Sequence, residues 1–305
     1  MKEFTENLKK CFSKKALPQK FEYCFLSPKK AFFSKKLKLE IKKEKDKNHL
    51  KLIFPENFKT QIPLVFCFGI FKKEGNLLVF PEIVLKKNSS LKILSFCLFP
   101  QAKKVFHQMK GKFVLEKNAE LIFEEKHFHG NFSGSSLEVS YEFFCQENSR
   151  LISNFSLNQG TSGKMNLSYR IFQLSNSFSE SEIKVLANHP NDQIEIEEKV
   201  FLLKEKSKTS LKLRGVAKNK GSIKLIGEIE AKAAFCFGHL DCKEVICDPD
   251  SQIISIPKLK VSHPLSSLTH EASIGKINPD QIALLQAKGL SEKEAIEFIL
   301  KGFLK

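Results

Sequence analysis

Short stretches of alternating apolar and polar residues, separated by polar turns, run through the middle of the chain. One stretch contains Ile83 and Leu85, and the next, after a turn, contains Leu91 and Ile93. Alternation with a period of two places successive side chains on opposite faces of a β-strand. The pattern therefore predicts strands joined by tight turns.

The turns recur at a fixed interval. Asn88, Asn118 and Asn148 follow one another at a spacing of 30 residues, and weaker copies of the same turn occur at Asn176 and Lys206. Asparagine tolerates the backbone conformation of a turn, and the small residue after it relieves crowding. A repeat of this length is typical of stacked coils, because each coil buries its apolar face only against its neighbours.

We therefore predict a mainly β protein whose residues from about 50 to 260 form a parallel β-helix or a related β-solenoid. A β-sandwich with evenly spaced hairpins is the alternative. The chain divides into an N-terminal helical or extended segment over residues 1–46, a β-helix core over 47–261 and a C-terminal helical region over 262–305.

Two short helices are predicted near the C-terminus. Asn278 can cap the first, with Pro279 in its first turn and Gly289 at its end. Ser291 and Glu294 form a capping box for the second. Its apolar residues fall on one helical face: Ile296, Ile299, Leu300 and Phe303. The pair caps the solenoid, docks a partner, or does both.

Charge alone would allow a polyanionic partner, because 50 Lys and Arg residues against 34 Asp and Glu residues give a net charge of +16. The lysines are spread along the whole chain, however, and no Trp is available for base stacking. Nucleic acid is therefore disfavoured. No apolar run is long enough to span a bilayer, and no signal peptide is visible. We expect a cytoplasmic protein whose eight cysteines are free, metal-binding or reactive.

Two groups of residues carry candidate chemistry. Cys97 ends an apolar stretch and is followed by His107, while His127 and His129 share one face of a strand about one coil further on. These histidines could bind a metal or lie on the surface, and the cysteine could be inert and buried. Cys242, His270 and Glu271 bring a thiol, an imidazole and a carboxylate to one end of the sheet-like body, a ligand set that suits iron.

Four segments resemble the SufB/SufD family of iron–sulfur cluster assembly proteins, and the similarity extends over roughly residues 60 to 305. The segments are Cys97–His107, Asn118–Gly130, Gly238–Cys242 and the motif that begins Thr269-His-Glu-Ala-Ser-Ile-Gly-Lys-Ile. The chain is most similar to the compact SufB-type scaffold of minimal SUF systems.

The resemblance implies a right-handed parallel β-helix that pairs near its C-terminal end, as a homodimer or as a SufB/SufD-type heterodimer. It implies a SufC-type ABC ATPase docked on the C-terminal helices and a separate protein that donates sulfur. A transient cluster, with either two or four iron atoms, would form where the subunits meet. No membrane is involved.

The resemblance also assigns roles to residues. Cys97 falls on the sulfur acceptor inside the β-helix. The cluster ligands fall on Cys242, His270 and Glu271. A tunnel would be lined by His107, His127 and His129. Gly69 stands where SufB proteins have an arginine near the start of this tunnel, which puts the family's tunnel chemistry in question.

The predicted function is that of a scaffold, not an enzyme, on which a cluster is built while the partner ATPase supplies the energy. The chain has no P-loop or other nucleotide motif of its own. One alternative is a SufD-like accessory subunit. A second is a β-solenoid enzyme acting on carbohydrates, which usually carries clustered carboxylates. Its one hint is the pair Glu124 and Glu125, which alternation places on opposite faces.

Overall fold

The chain forms a parallel β-solenoid of about eight turns with two helices at its C-terminal end. The computed structural model describes Glu6 and residues 22–27, 31–33, 39–44, 47–131 and 134–304. Within the segment over residues 1–46 that was predicted to be helical or extended, Glu6 is helical and three strands lie between residues 22 and 44. No helix in the described ranges is long and apolar enough to cross a membrane.

Ten strands stack into one sheet of the solenoid. In spatial order they are β19 (Ser267–Gly275), β17 (Phe237–Ile246), β15 (Lys208–Ala217), β13 (Phe178–Ala187), β11 (Arg150–Leu157), β9 (Glu120–His129), β7 (Ser90–Phe99), β5 (Leu64–Gly69), β1 (Glu22–Leu26) and β2 (Ala31–Phe33). Neighbours pair in parallel except at the last step, from β1 to β2. The sheet therefore grows by one strand per coil.

The second sheet contains nine strands. In spatial order they are β18 (Gln252–Val261), β16 (Ser222–Ala231), β14 (Gln193–Leu202), β12 (Lys164–Gln173), β10 (Ser135–Cys145), β8 (Lys104–Leu115), β6 (Glu74–Leu85), β4 (Lys47–Phe54) and β3 (Leu39–Glu44). From β4 onward, successive strands of the chain alternate between the two sheets, so the apolar inward faces of both sheets enclose one continuous core. Strands β1 to β3 extend the sheets before residue 47, and β19 extends the first sheet beyond residue 261.

The predicted asparagine turns are confirmed by their backbone. Asn88, Asn118 and Asn148 have φ values of 58°, 59° and 56°, in the left-handed region. The two weaker copies, Asn176 and Lys206, have φ values of 56° and 60°. The small residue that follows each turn is buried: Ser89, Ala119, Ser149, Ser177 and Ser207. The turns thus stack as one column along the solenoid.

Side chains reinforce that column at its start. The Asn118 side-chain amide donates to the Asn88 side-chain oxygen at 2.8 Å, and Asn88 donates to Asn57 at 2.9 Å. Each asparagine therefore relieves backbone strain in its own coil and ties it to the coil before.

The two C-terminal helices are α1 (Pro279–Ala287) and α2 (Glu292–Phe303). Both have the predicted caps, at Asn278 and at the Ser291 capping box. Helix α2 packs through Leu300 against Leu186 and Val216, on the outer face of the first sheet. Helix α1 buries no residue. The second helix is thus anchored on the side of the solenoid, and the first is left accessible.

Replacing Asn118 with alanine should lower the free energy of unfolding by about 1–2 kcal/mol, because alanine resists the left-handed conformation. Glycine at the same position should cost less, since it adopts that conformation freely. Urea denaturation measures both, with Lys117→Ala, a change in the exposed neighbouring residue, as control. Equal losses for Asn118→Ala and Lys117→Ala would contradict this role for the turn.

Candidate functional site

Polar side chains gather inside the solenoid where β7, β8 and β9 meet. Cys97 on β7 pairs in register with His127 on β9, so alternation points both side chains inward. Glu125 and His107, on β9 and β8, also point inward, and all four side chains are at most 2% exposed. The sequence predicted His127 and His129 about one coil beyond Cys97. The structure has them on the next strand of the same sheet, with His127 beside Cys97.

The thiol of Cys97 is hydrogen-bonded to an imidazole. Its Sγ lies 3.6 Å from Nε2 of His107, and Nδ1 of His107 lies 2.9 Å from the backbone oxygen of Leu77. A carbonyl oxygen only accepts, so Nδ1 carries the hydrogen and Nε2 presents its lone pair to the thiol. Burial lowers the pKa of His107 to about 4 and raises the pKa of Cys97 well above its usual value. The resting pair is a thiol and a neutral imidazole.

A carboxyl group lies beside this pair. Oε1 of Glu125 is 2.6 Å from Nε2 of His127, and the Tyr141 hydroxyl donates to Oε2 of Glu125 at 2.6 Å. Burial raises the pKa of Glu125 to about 7 and lowers the pKa of His127 to about 3. Glu125 therefore exchanges its proton near neutral pH, while His127 stays neutral.

Sequence reasoning missed Glu125 and Tyr141 as members of this cluster. Counting back two residues from His127 would have placed Glu125 on the same inward face. Nothing local in the sequence indicates Tyr141, because it reaches Glu125 from the opposite sheet. Glu124 faces outward and pairs with Lys92, so the two adjacent carboxylates do lie on opposite faces, as predicted.

His129, the third histidine of the predicted tunnel, also lies in the interior. Its Nδ1 is 3.2 Å from the backbone oxygen of Thr161, and its Nε2 is buried without a hydrogen-bond partner among the described residues. The three histidines thus line one stretch of the interior. A metal ion could be held here, because ligand atoms of Cys97, Glu125 and His127 all lie within 4.8 Å of one another.

The three residues predicted as cluster ligands lie at the other end, on the last two coils. Cys242 on β17 is buried and faces inward, in register with Ala272. Glu271 on β19 pairs in register with Asp241, on the opposite face of the sheet. His270 and Glu271 are both exposed. Within the described part of a single chain, these residues do not form a cluster of converging ligand atoms.

A carboxyl group that sequence reasoning overlooked lies beside Cys242. Glu244 follows two residues later on β17, is 2% exposed, and accepts a hydrogen bond from Ser255 at 3.0 Å. Burial raises the pKa of Glu244 to about 7. Burial, followed by the charge of Glu244, raises the pKa of Cys242 to about 11. The thiol at this end is therefore also protonated at rest.

The C-terminal end of the solenoid has an open edge. No strand of the described chain covers the outer edge of β19 or that of β18. Large apolar side chains are exposed in the same part of the molecule: Ile254, Val261, Leu265 and Ile274. Unpaired edges and exposed apolar groups favour association with another chain.

Comparison with known proteins assigns the chain to a family. The model of the SufBD core domain of the SUF system for FeS cluster assembly matches residues 74–303. An iron–sulfur cluster assembly SufBD family protein of Methanocaldococcus jannaschii is 32% identical over 266 residues, 87% of this chain and 84% of that protein. One from Pyrococcus horikoshii is 31% identical over 249 residues, 82% of this chain and 75% of that protein. The chain therefore belongs to the SufBD family, as its motifs predicted.

Proposed function

We propose that the chain is a scaffold on which an iron–sulfur cluster is assembled, with Cys97 as the entry point for sulfur. The observation that carries the proposal is the buried Cys97–His107 pair, with Glu125 and His127 beside it, inside a SufBD-family solenoid. Membership in the family supports a role in cluster assembly. The paired imidazole supplies what a buried thiol needs in order to react, namely a base.

The sulfur step follows from the hydrogen bond. His107 takes the thiol proton at Nε2, and the Cys97 thiolate attacks the outer sulfur of a persulfide on the donor protein. A new S–S bond forms at Cys97, the S–S bond of the donor breaks, and the proton passes from His107 to the donor thiolate. The products are a Cys97 persulfide and a donor thiol. Because Cys97 is fully buried, this exchange requires the solenoid to open locally.

A line of polar groups leads away from the entry point. Tyr141, Tyr169 and Glu198 occupy one register column of the second sheet, on three successive coils. All three side chains are buried, and burial raises the pKa of Glu198 to about 7. In the proposed mechanism, a dithiol reductant reduces the Cys97 persulfide and its two thiols become a disulfide. The outer sulfur leaves as sulfide, Cys97 returns to a thiol, and the sulfide moves along this side of the interior toward Cys242 and Glu244.

Iron would meet this sulfur at the open end. Cys242, His270 and Glu271 supply a thiolate, an imidazole and a carboxylate there, and the open edge of β19 allows a second subunit to complete the site. The partner is a second copy of this chain or a related family member. The cluster is cargo and is passed on, so the chain acts as a scaffold rather than an enzyme.

The accessory, SufD-like function is the second candidate. It is favoured by one observation: Cys242 and Glu271 lie on opposite faces of their sheet and do not converge within one chain. A subunit of that kind would support a complex without holding a cluster alone.

A SufC-type ATPase is the proposed partner for the C-terminal helices. Leu284 on α1 is 59% exposed and Phe298 on α2 is 62% exposed, whereas Leu300 is anchored on the solenoid. An ATPase bound to Leu284 and Phe298 would pull on α2. Through the contact of Leu300, it would also pull on strands β13 and β15.

Sulfur transfer should depend on the buried pair. Cys97→Ser should abolish labelling from a radioactive persulfide donor, and His107→Gln should slow it by roughly 100-fold or more, because the general base is lost. Cys145→Ser, which changes another fully buried interior cysteine, should leave the label unchanged. Full labelling of folded Cys97→Ser would rule out Cys97 as the acceptor.

Cluster formation should depend on the residues at the open end. After anaerobic reconstitution with iron, sulfide and the ATPase, both Cys242→Ala and Glu271→Ala should lose most of the visible absorbance of the cluster. Cys247→Ala, which removes a half-buried cysteine that directly follows β17, is the control. Wild-type absorbance in both test variants would favour the accessory function instead.

Docking of the ATPase should depend on the exposed helix residues. Leu284→Ser and Phe298→Ser together should eliminate its pull-down by this chain, since each replaces an exposed apolar contact with a hydroxyl. The control is Leu174→Ser, an exposed leucine in a turn of the solenoid. Unchanged pull-down by the double variant would place the docking surface elsewhere.

A further inference from the structure

The entry cluster also has the composition of a metal site. Among the residues that the structure describes, one group of three or more His, Cys, Asp or Glu residues has ligand atoms that all lie within 4.8 Å of one another. The group is Cys97, Glu125 and His127. Nε2 of His107 adds a fourth donor, 3.6 Å from Cys97 Sγ. Side chains from β7, β8 and β9, which belong to both sheets, thus meet at one point in the core.

The position of His107 fits metal ligation in detail. Its Nδ1 hydrogen is held by the Leu77 carbonyl, which fixes the ring and directs the Nε2 lone pair toward Cys97. Histidines that bind metals are usually held in this way. In a tetrahedral site with metal–sulfur and metal–nitrogen bonds of ordinary length, sulfur and nitrogen lie about 3.6 Å apart. An ion could therefore take the place of the thiol proton with little movement of either side chain.

Charge and solvation favour a divalent ion. A Cys97 thiolate and a Glu125 carboxylate together carry two negative charges, so a site loaded with a divalent ion is neutral. Neutrality matters here because the surroundings are apolar and an uncompensated charge would be costly. One ring nitrogen of His127, Nδ1, is buried and has no hydrogen-bond partner among the described residues. It is a further donor available to such an ion.

We propose that Cys97, His107, Glu125 and His127 form a buried binding site for one divalent ion of the borderline class, such as Fe²⁺ or Zn²⁺. A set of sulfur, nitrogen and oxygen donors suits these ions and not Ca²⁺ or Mg²⁺. Binding replaces the S–H bond of Cys97 by a sulfur–metal bond and releases the thiol proton to solvent, together with the carboxyl proton where Glu125 carries one. This site lies several coils away from Cys242 along the solenoid. Metal binding to it requires neither the ATPase nor a sulfur donor.

Co²⁺ is a suitable probe, since its spectrum reports both thiolate ligation and tetrahedral geometry. The full-length chain carrying Cys242→Ser, which removes the thiol of the other proposed site, is incubated anaerobically with Co²⁺ until equilibrium. We expect one ion per chain, a thiolate-to-cobalt charge-transfer band, and one sulfur ligand at about 2.3 Å by X-ray absorption. The absence of cobalt uptake, or of a sulfur ligand, would overturn the inference.

Variants in the same background locate the ion. Cys97→Ser should eliminate the charge-transfer band, whereas Cys145→Ser should retain it. Tyr141→Phe removes the hydroxyl that orients Glu125 and should weaken Co²⁺ binding by about 10- to 100-fold. Its matched control is Tyr169→Phe, because the Tyr169 hydroxyl has no hydrogen-bond partner in the described chain.

Circular dichroism verifies that each variant is folded. A band that survives Cys97→Ser in the folded protein overturns the inference, as does equal binding by the two tyrosine variants. The Co²⁺ assay contains no sulfur donor, so it is independent of the persulfide-labelling assay. A chain that binds no Co²⁺ but still takes up the label at Cys97 would rule out the metal site and leave the proposed function standing.

Discussion

Strict alternation of inward and outward side chains in stacked parallel strands is the constraint on which every site in this protein depends. Each inward residue lies beside the residue at the same position in the neighbouring coil. Cys97 therefore lies next to His127, and the enclosed core obliges their polar groups to find partners inside the protein. His107 is the partner of Cys97 and Tyr141 is the partner of Glu125, both from the opposite sheet. A cluster of buried polar groups results from the same packing that forms the core.

The sequence was most informative where the physical requirement was local. A left-handed turn needs Asn or a similar residue, so the spacing of Asn88, Asn118 and Asn148 predicted the coils and their stacking. It was less informative where contacts cross the interior. Tyr141 is 16 residues from Glu125 and in the other sheet, and no periodicity connects the two. Its role became visible only once the two sheets were placed face to face.

The C-terminal end illustrates a different limit. Spacing placed Cys242, His270 and Glu271 at one end of the solenoid, and they do lie there, on adjacent strands. Alternation then separates Glu271 from the other two residues. Glu271 is in register with Asp241, whereas His270, in register with Leu240, shares the face of Cys242. Glu244, two residues after Cys242, also shares that face. The two groups therefore differ in character: the Cys97 group is enclosed within one chain, and the Cys242 group lies at an open edge.

If the interior cluster is a chemical site and not only a packed core, Cys97 takes up sulfur. The most direct measurement is mass spectrometry of the unaltered protein after exposure to a persulfide donor, with the added sulfur located by peptide. We expect the added sulfur on the peptide containing Cys97, which is buried beside its base. Sulfur found on half-buried Cys247, with none on Cys97, would contradict it.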